Sequence, residues 1–344
     1  MKDKFAAIAN IIDVRLATVF KSAFESDRHP LFHVVPPLEI NTELKALTLR
    51  GGKRLRPALM VAAYELFNDE ALDDCALLDA ACAMEALQSY FLIHDDIMDG
   101  DTVRRNGPSV HASLQQKTGD AALGLHLGIL AGDLAAALHE WILARLDCDA
   151  AIRTRVQRIF SRMHMDVVLG QALDLQGNAS PEDIVLRKTA SYTTIGPLCL
   201  GAALGGATDS DLAHMAELAR PLGIAFQYRD DLIGVFGDEK VAGKPVGSDL
   251  KNGKQTLLLT DTLAHLEAAN RAALLSLIEA APQSSDAVTG AMEIIDRSGA
   301  RARCEHRIDK LFSTVAAHLQ TLAAREPGKS FLLWLARLMA YREM

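Results

Sequence analysis

Apolar residues recur along nearly the whole chain at the three- and four-residue spacing of an amphipathic helix. The stretches FAAIANIIDVRLATVF, RPALMVAAYELF, CALLDAACAMEALQSYFLIHDDIMD and RIFSRMHMDVVLGQALDLQG all carry it. Breaks fall at RHPLFHVVPP, RRNGPS, GNASPED, GVFGDEKVAGKPVGSD, APQSSDA and REPGKS, where Gly, Pro, Asn, Asp and Ser punctuate the pattern. The segments between them are long enough for about ten helices or more. No shift of composition marks a linker, so residues 1–344 read as a single all-α domain, a helical bundle. Two apolar helices end in a double aspartate, HDDIMD and YRDDLIG, an internal echo that suggests two facing walls of one central cavity.

Composition narrows the classes. Hydrophobic residues make up 49% of the chain but aromatics only 5%, which favours Ala/Leu-rich helices over β structure. A net charge of -8 leaves no general basic excess for phosphate backbones, so nucleic acid is not an expected partner. Five cysteines, odd in number and without a CxxC pair, indicate buried thiols in a reducing cytoplasm. The N-terminal MKDKFAAIANIIDVRL keeps charges within its apolar stretch, unlike a signal peptide. No long apolar run escapes a charge, Pro or Gly cluster, so stable membrane insertion is not expected.

The chemistry concentrates in HDDIMDGDTVRRNGPSVH, where Asp95, Asp96, Asp99 and Asp101 precede Arg104 and Arg105. Asp95 and Asp99 lie one helical turn apart on one face. Carboxylates near a helix C-terminus oppose the helix dipole and call for a cation. An oxygen-only set with open positions suits Mg²⁺, which shares itself with substrate phosphates. The arginine pair suits the remaining oxygens of a diphosphate. RGGKRLRP gathers Arg50, Lys53, Arg54 and Arg56; Lys53 and Arg56 are spaced to share one face at a helix start, where an anion is favoured, and P-loop spacing is absent. Downstream, RKTASY places Lys188, Thr189 and Tyr192 at helical spacing, and GQALD offers Gln171 and Asp174. In FQYRDDLIGVFGDEKVAGKPVGSDLKNGK, Asp230 and Asp231 are followed by Gly234, where a third aspartate would fall, and the helix is expected to end at Gly234 or Gly237. Read singly, each motif is as well explained by solvated helix ends and satisfied core polar groups. His94, His111 and His164 read as hydrogen-bonded helix residues.

Together and in this order, GGKRLRP, LIHDDIMD with RR, GQALDL, KTASY, FQYRDD and GKPVGSDL resemble the trans-isoprenyl diphosphate synthases, from about Arg50 to Lys254. The resemblance implies an all-α fold around a central cavity, usually a homodimer, and Mg²⁺, three per active site. It implies that Lys53, Arg56, Gln88 and Arg105 bind isopentenyl diphosphate. It implies that Asp95 and Asp99 hold two ions on the allylic diphosphate and Asp230 a third. Arg104, Lys188 and Lys244 would donate to that diphosphate, with Lys254 a further loop lysine. Thr189 and Gln227 would line the reacting carbons. The aromatic pair Tyr90 and Phe91, five and four residues before Asp95, resembles the floor of short-chain enzymes and predicts a C15 product, farnesyl diphosphate. Gly234 and the short first motif resemble a subgroup that includes geranylgeranyl synthases, which keeps C20 as the alternative. Three rivals remain: a terpene cyclase, a His-Asp phosphohydrolase, and a non-catalytic subunit of a heteromeric synthase. The first lacks its second metal motif, the second its spaced histidines, and the third would be expected to lose an aspartate motif.

Overall fold

Helix starts and stops follow local chemistry closely in the computed structural model, which describes residues 1–26, 39–69, 71–237 and 246–342. The described residues are overwhelmingly α-helical, as the apolar spacing predicts. They form two compact units, Met1–Arg158 with Leu200–Ala207, and Ile159–Cys199 with Thr208–Met344.

The first unit contains α1 (Lys2–Lys21), α2 (Glu39–Leu49), α3 (Leu55–Tyr64), α4 (Cys75–Asp99), α5 (Val110–Thr118), α6 (Ala121–Leu143) and the start of α7 (Ala150–Gln176). Helix α4 begins where the Asp74 carboxylate accepts the Leu77 N–H at 2.9 Å, an N-cap of the ordinary kind. It stops at Gly100, whose φ of 69° is left-handed and closes the helix at little steric cost. Leu77, Ala80, Ala81, Met84 and Leu87 are fully buried along it, each large side chain contributing about 1.5–3 kcal/mol of burial. Helix α6 runs beside α4 and α5 on a ridge of Gly124, Gly128 and Gly132. A Cβ on Gly128 would come within 2.8 Å of His111 Cβ, so only glycine allows this approach.

Between α4 and α5 lies a two-residue hairpin, β1 (Val103–Arg104) paired with β2 (Gly107–Pro108). Its central residues Arg105 and Asn106 have φ of 53° and 58°, the signature of a type I′ turn. Asn tolerates this conformation; an arginine adopts it under strain, which is commoner at functional sites.

The second unit contains the rest of α7, α8 (Pro181–Ile184), a π-helical stretch (Val185–Ile195), α9 (Gly196–Leu204, to Cys199) and α10 (Asp209–Phe236). It continues with α11 (Ser248–Lys251), α12 (Leu257–His265), α13 (Ala268–Ala280), α14 (Ser285–Arg297), α15 (Ala300–Thr321) and α16 (Glu326–Tyr341). Helix α10 opens with a reciprocal capping box between Thr208 and Asp211 and ends at Gly237, one of the two expected stops. Its buried face, Ala225, Tyr228 and Leu232, joins a core with Leu258, Leu274, Ile295 and Ile308.

Two local expectations fail. Lys53 does not share a helix face with Arg56: α3 begins at Leu55, and its N-cap Arg54 has φ 49° and ψ 41°, so Lys53 lies in the preceding loop. Lys188, Thr189 and Tyr192 do not follow α-helical spacing, because the chain from Val185 to Ile195 is wound in wider i→i+5 turns.

Candidate active site

In the first unit the long rigid α4 carries Gln88, Tyr90, Phe91, Asp95 and Asp99, and the hairpin after it carries Arg104 and Arg105. The two adjacent aspartates differ sharply. Asp96 is fully buried, while Asp95 stays partly exposed. Arg104 Nε donates to Asp96 Oδ1 at 2.6 Å, and Arg104 Nη2 lies 3.4 Å from Asp101 and 3.8 Å from Asp95. Burial pushes the Asp96 carboxyl up to about 6 against the pull of Arg104. Burial opposes the charge of Arg104, but Asp96, Asp95 and Asp101 outweigh it and hold its pKa above the ordinary value. The second Asp96 oxygen, Oδ2, is buried without a hydrogen-bond partner.

The basic loop meets the hairpin. Arg50 Nη1 donates to Pro108 O at 2.7 Å, and Arg105 Nη1 donates to Leu47 O at 3.1 Å. Burial lowers the pKa of Arg105. Lys53 is exposed, whereas Arg56 and Gln88 are half-buried. With the Gln88 amide oriented to satisfy its neighbours, its oxygen accepts from Arg56 Nη1 at 2.8 Å. Tyr90 and Phe91 stack obliquely, ring centres 5.2 Å apart, and Tyr90 meets the edge of His94 at 4.7 Å. The His94 ring in turn has Nε2 3.1 Å from Ile129 O on α6, the packing role expected of it.

The second unit holds a chain of polar contacts. Lys188 Nζ donates to Asp174 Oδ2 at 2.7 Å. The π-helical backbone approaches α7 so closely that a Cβ on Gly170 would come within 2.5 Å of Lys188 N. Thr189 Oγ1 donates to Gln227 Oε1 at 2.8 Å, and Gln227 Nε2 donates to Asp231 Oδ1 at 2.8 Å. Asp231 Oδ2 accepts from Leu258 N at 3.2 Å, at the start of α12. Burial pushes the Asp231 carboxyl up to about 7. Asp230, by contrast, is partly exposed and ion-paired with Arg342, whose guanidinium also stands 4.5 Å over the Phe226 ring. In each double aspartate, then, the second residue is the buried one. A Cβ on Gly234 would meet Asp249 Oδ2 at 3.5 Å, so the acidic group near that position comes from Asp249. Lys254 N donates to Asp249 O at 2.9 Å. Lys244 lies outside the described residues.

Among the described residues no three His, Cys, Asp or Glu side chains form a ready-made metal cluster. That is compatible with Mg²⁺, which takes one or two carboxylates from a wall and fills its remaining positions with water and phosphate. Within the first unit, the oxygen-only pair of Asp95 and Asp99, one turn apart on α4, fits such an ion; in the second, Asp230 on α10 offers a partly exposed carboxylate.

Sequence reasoning passed over Glu85, buried in mid-α4, and treated Arg54 as one surface cation among four. A lone Glu inside ACAMEALQSYF was the available signal, since a buried charge needs a partner.

This all-α framework with two aspartate-bearing helices defines an isoprenoid-synthase class of protein. The polyprenyl synthetase family model matches residues 38–295, and the chain belongs to that family, the trans-isoprenyl diphosphate synthases. It is 32% identical over 337 residues to a geranylgeranyl diphosphate synthase of Mycobacterium tuberculosis, covering 94% of this chain and 90% of the relative. It is 33% identical over 262 residues to a short chain isoprenyl diphosphate synthase of Methanocaldococcus jannaschii, covering 74% of this chain and 75% of that one. A farnesyl diphosphate synthase of Mycobacterium bovis is 34% identical over 260 residues, 73% of this chain and 68% of the relative. The solved geranylgeranyl pyrophosphate synthase of Corynebacterium glutamicum, complexed with isoprenyl diphosphate and magnesium, superposes with a TM-score of 0.86 at 28% identity, over 98% of this chain and 99% of that one. The protein is a prenyltransferase, and the terpene cyclase, phosphohydrolase and non-catalytic readings are set aside.

Proposed function

We propose that this enzyme condenses isopentenyl diphosphate head-to-tail with dimethylallyl or geranyl diphosphate and releases farnesyl diphosphate. The observation that carries the reading is the pairing on α4 and its hairpin of a carboxylate face, Asp95 and Asp99, with the guanidinium of Arg104. Divalent ions, three per site, would be held by Asp95, Asp99 and Asp230 and would neutralise charge on the departing diphosphate. Arg104 and Lys188, each pre-aimed by a carboxylate partner, donate to the allylic diphosphate and stabilise it as its C–O bond ionises. Lys244 and Lys254 add further positive charge. Lys53, Arg56, Gln88 and Arg105 hold the isopentenyl diphosphate, whose double bond attacks the allylic cation. Thr189 and Gln227 line the reacting carbons, and the proton lost from the isopentenyl unit as its new double bond forms passes to the released diphosphate. An apolar lining would keep water from the cation.

Tyr90 and Phe91 support the C15 product. Phe91 lies one turn before Asp95 on the same α4 face, so its ring closes the path of a growing tail roughly 6 Å below the carboxylates. The geranylgeranyl synthases among the relatives favour C20 as the second reading.

Among the described residues, two helices have the length and apolarity to cross a membrane, α4 and α6. The α4 window is 78% buried, as befits a core helix, but that of α6 is only 33% buried, with Leu123, Leu125, Ile129 and Leu130 exposed. We assign this face to a second copy of the chain, so that the enzyme works as a homodimer in the cytoplasm. The buried, unpaired thiols of Cys82, Cys199 and Cys304 suit that reducing compartment.

Incubation with labelled isopentenyl diphosphate, each allylic primer and Mg²⁺, with products sized by chromatography, tests the reading. A C15 product supports it; a C20 product selects the second reading, and no prenyl product rejects both.

A further inference from the structure

Arg54 takes no part in the reaction as proposed, yet it is the most completely enclosed cation of the basic loop, with a side chain 0% exposed. Its left-handed backbone turns it inward between Lys53 and Arg56. Nε donates to Asp13 Oδ1 at 2.7 Å, Nη2 donates to Thr48 O at 2.7 Å, and Nη1 donates to Glu85 Oε2. Glu85 is 3% exposed and has a second task. Its other oxygen, Oε1, accepts from the Gln88 amide nitrogen at 3.2 Å, and the Gln88 oxygen accepts from Arg56 Nη1 at 2.8 Å.

The order of these contacts is directional. A carboxylate only accepts, so Glu85 requires the NH₂ of Gln88 to face it, which leaves the amide oxygen toward Arg56. Arg54 fixes Glu85 in turn, from a position that solvent does not reach. Stability alone does not account for the arrangement, because a buried ion pair contributes little over apolar residues of similar volume. What the pair does provide is a single orientation for Gln88 and Arg56, so that less side-chain freedom is lost when an anion binds them.

We propose that Glu85, anchored by Arg54, is a positioning residue for the isopentenyl diphosphate site, acting through Gln88 on Arg56. The inference rests on the assignment of Arg56 and Gln88 to that substrate.

The test is Glu85→Gln, since a glutamine places an acceptor at only one of the two positions, toward Arg54 or toward Gln88, and a donor at the other. The KM for isopentenyl diphosphate should rise about fivefold or more, with kcat and the allylic KM changed by less than about twofold. Calorimetric affinity for isopentenyl diphosphate alone should weaken by the same factor. In an Arg56→Ala background the same substitution should add less than about twofold, because its route of action is gone. If Glu85→Gln fails to fold, Glu85→Asp, which keeps the charge but withdraws the carboxylate, carries the same readouts. Equal changes in both KM values, or an undiminished effect in the Arg56→Ala background, would overturn the relay. Should Arg56→Ala itself leave isopentenyl diphosphate binding unchanged, the site assignment fails and the relay falls with it. An Arg56→Ala defect without a Glu85→Gln defect sinks the relay alone.

Discussion

Arg104 and Asp96 form a 2.6 Å hydrogen-bonded ion pair in which the carboxylate is wholly buried and the guanidinium is held at the mouth of the aspartate motif. Asp96 therefore aims Arg104 rather than offering itself to a ligand. Asp96→Asn should lower kcat/KM for the allylic substrate by about 10–100-fold, through loss of a charge-assisted contact. Mg²⁺ affinity, read by titration in the presence of inorganic diphosphate, should stay within about threefold. A collapse of metal affinity would instead make Asp96 a direct ligand.

Removing the metal should stop the reaction without unfolding the chain. EDTA should abolish turnover and added Mg²⁺ restore it, while far-UV circular dichroism stays constant. Asp95→Asn should lower kcat by about two orders of magnitude or more. Near-full activity of that variant counts against the metal assignment.

The two substrates should respond to different cations. Lys53→Ala and Arg56→Ala remove binding from the substrate that does not ionise, so each should chiefly raise the KM for isopentenyl diphosphate. Lys188→Ala should instead lower kcat, as it strips the donor that Asp174 presents. Steady-state kinetics with each substrate varied in turn separates the cases, and identical profiles for all three variants would contradict the division.

Phe91→Ala should lengthen the main product by at least one isoprene unit, because it opens the floor without touching a carboxylate. Chromatography of the dephosphorylated products reads the result. If Phe91→Ala and Tyr90→Ala both leave chain length unchanged, the floor lies elsewhere.

The outer face of α6 should govern assembly. Replacing Ile129 and Leu130, 41% and 52% exposed, with Glu places two charges in the proposed interface. Sedimentation should then show a monomer where the parent chain is a dimer. A parent chain that sediments as a monomer already would remove the proposal.

Much of this was legible in the sequence, for identifiable reasons. Helices α4 and α7 stand where the apolar pattern puts them, and α10 ends at Gly237, one of the two glycines that the sequence offers as a stop. Asp95, Asp99, Arg104 and Arg105 could be grouped because a helix and a tight turn keep sequence neighbours together. What stayed hidden depended on partners far along the chain. Glu85 is intelligible only beside Arg54, 31 residues away, and Thr189 only beside Gln227, 38 residues away. The position of Lys53 is not legible in the sequence, because a left-handed arginine at an N-cap is not a state that helix propensity predicts. The glycine ridge of α6 was written openly as GxxxGxxxG yet went unread, since its meaning lies in what presses against it.

The π-helical stretch from Val185 to Ile195 has a consequence for how this enzyme can vary. Its wider turns accommodate a residue that an α-helix of the same length would exclude, and Lys188 and Thr189 both lie within it. Lys188 meets Asp174 on α7 while its neighbour Thr189 meets Gln227 on α10, so two consecutive residues address two different helices. Deleting a single residue between Val185 and Ile195 would let the segment relax to ordinary winding and rotate one of those side chains off its target. The stretch works as a spacer in angle rather than in length, and single-residue deletions there should be far less tolerated than point substitutions at its solvent-facing Arg187.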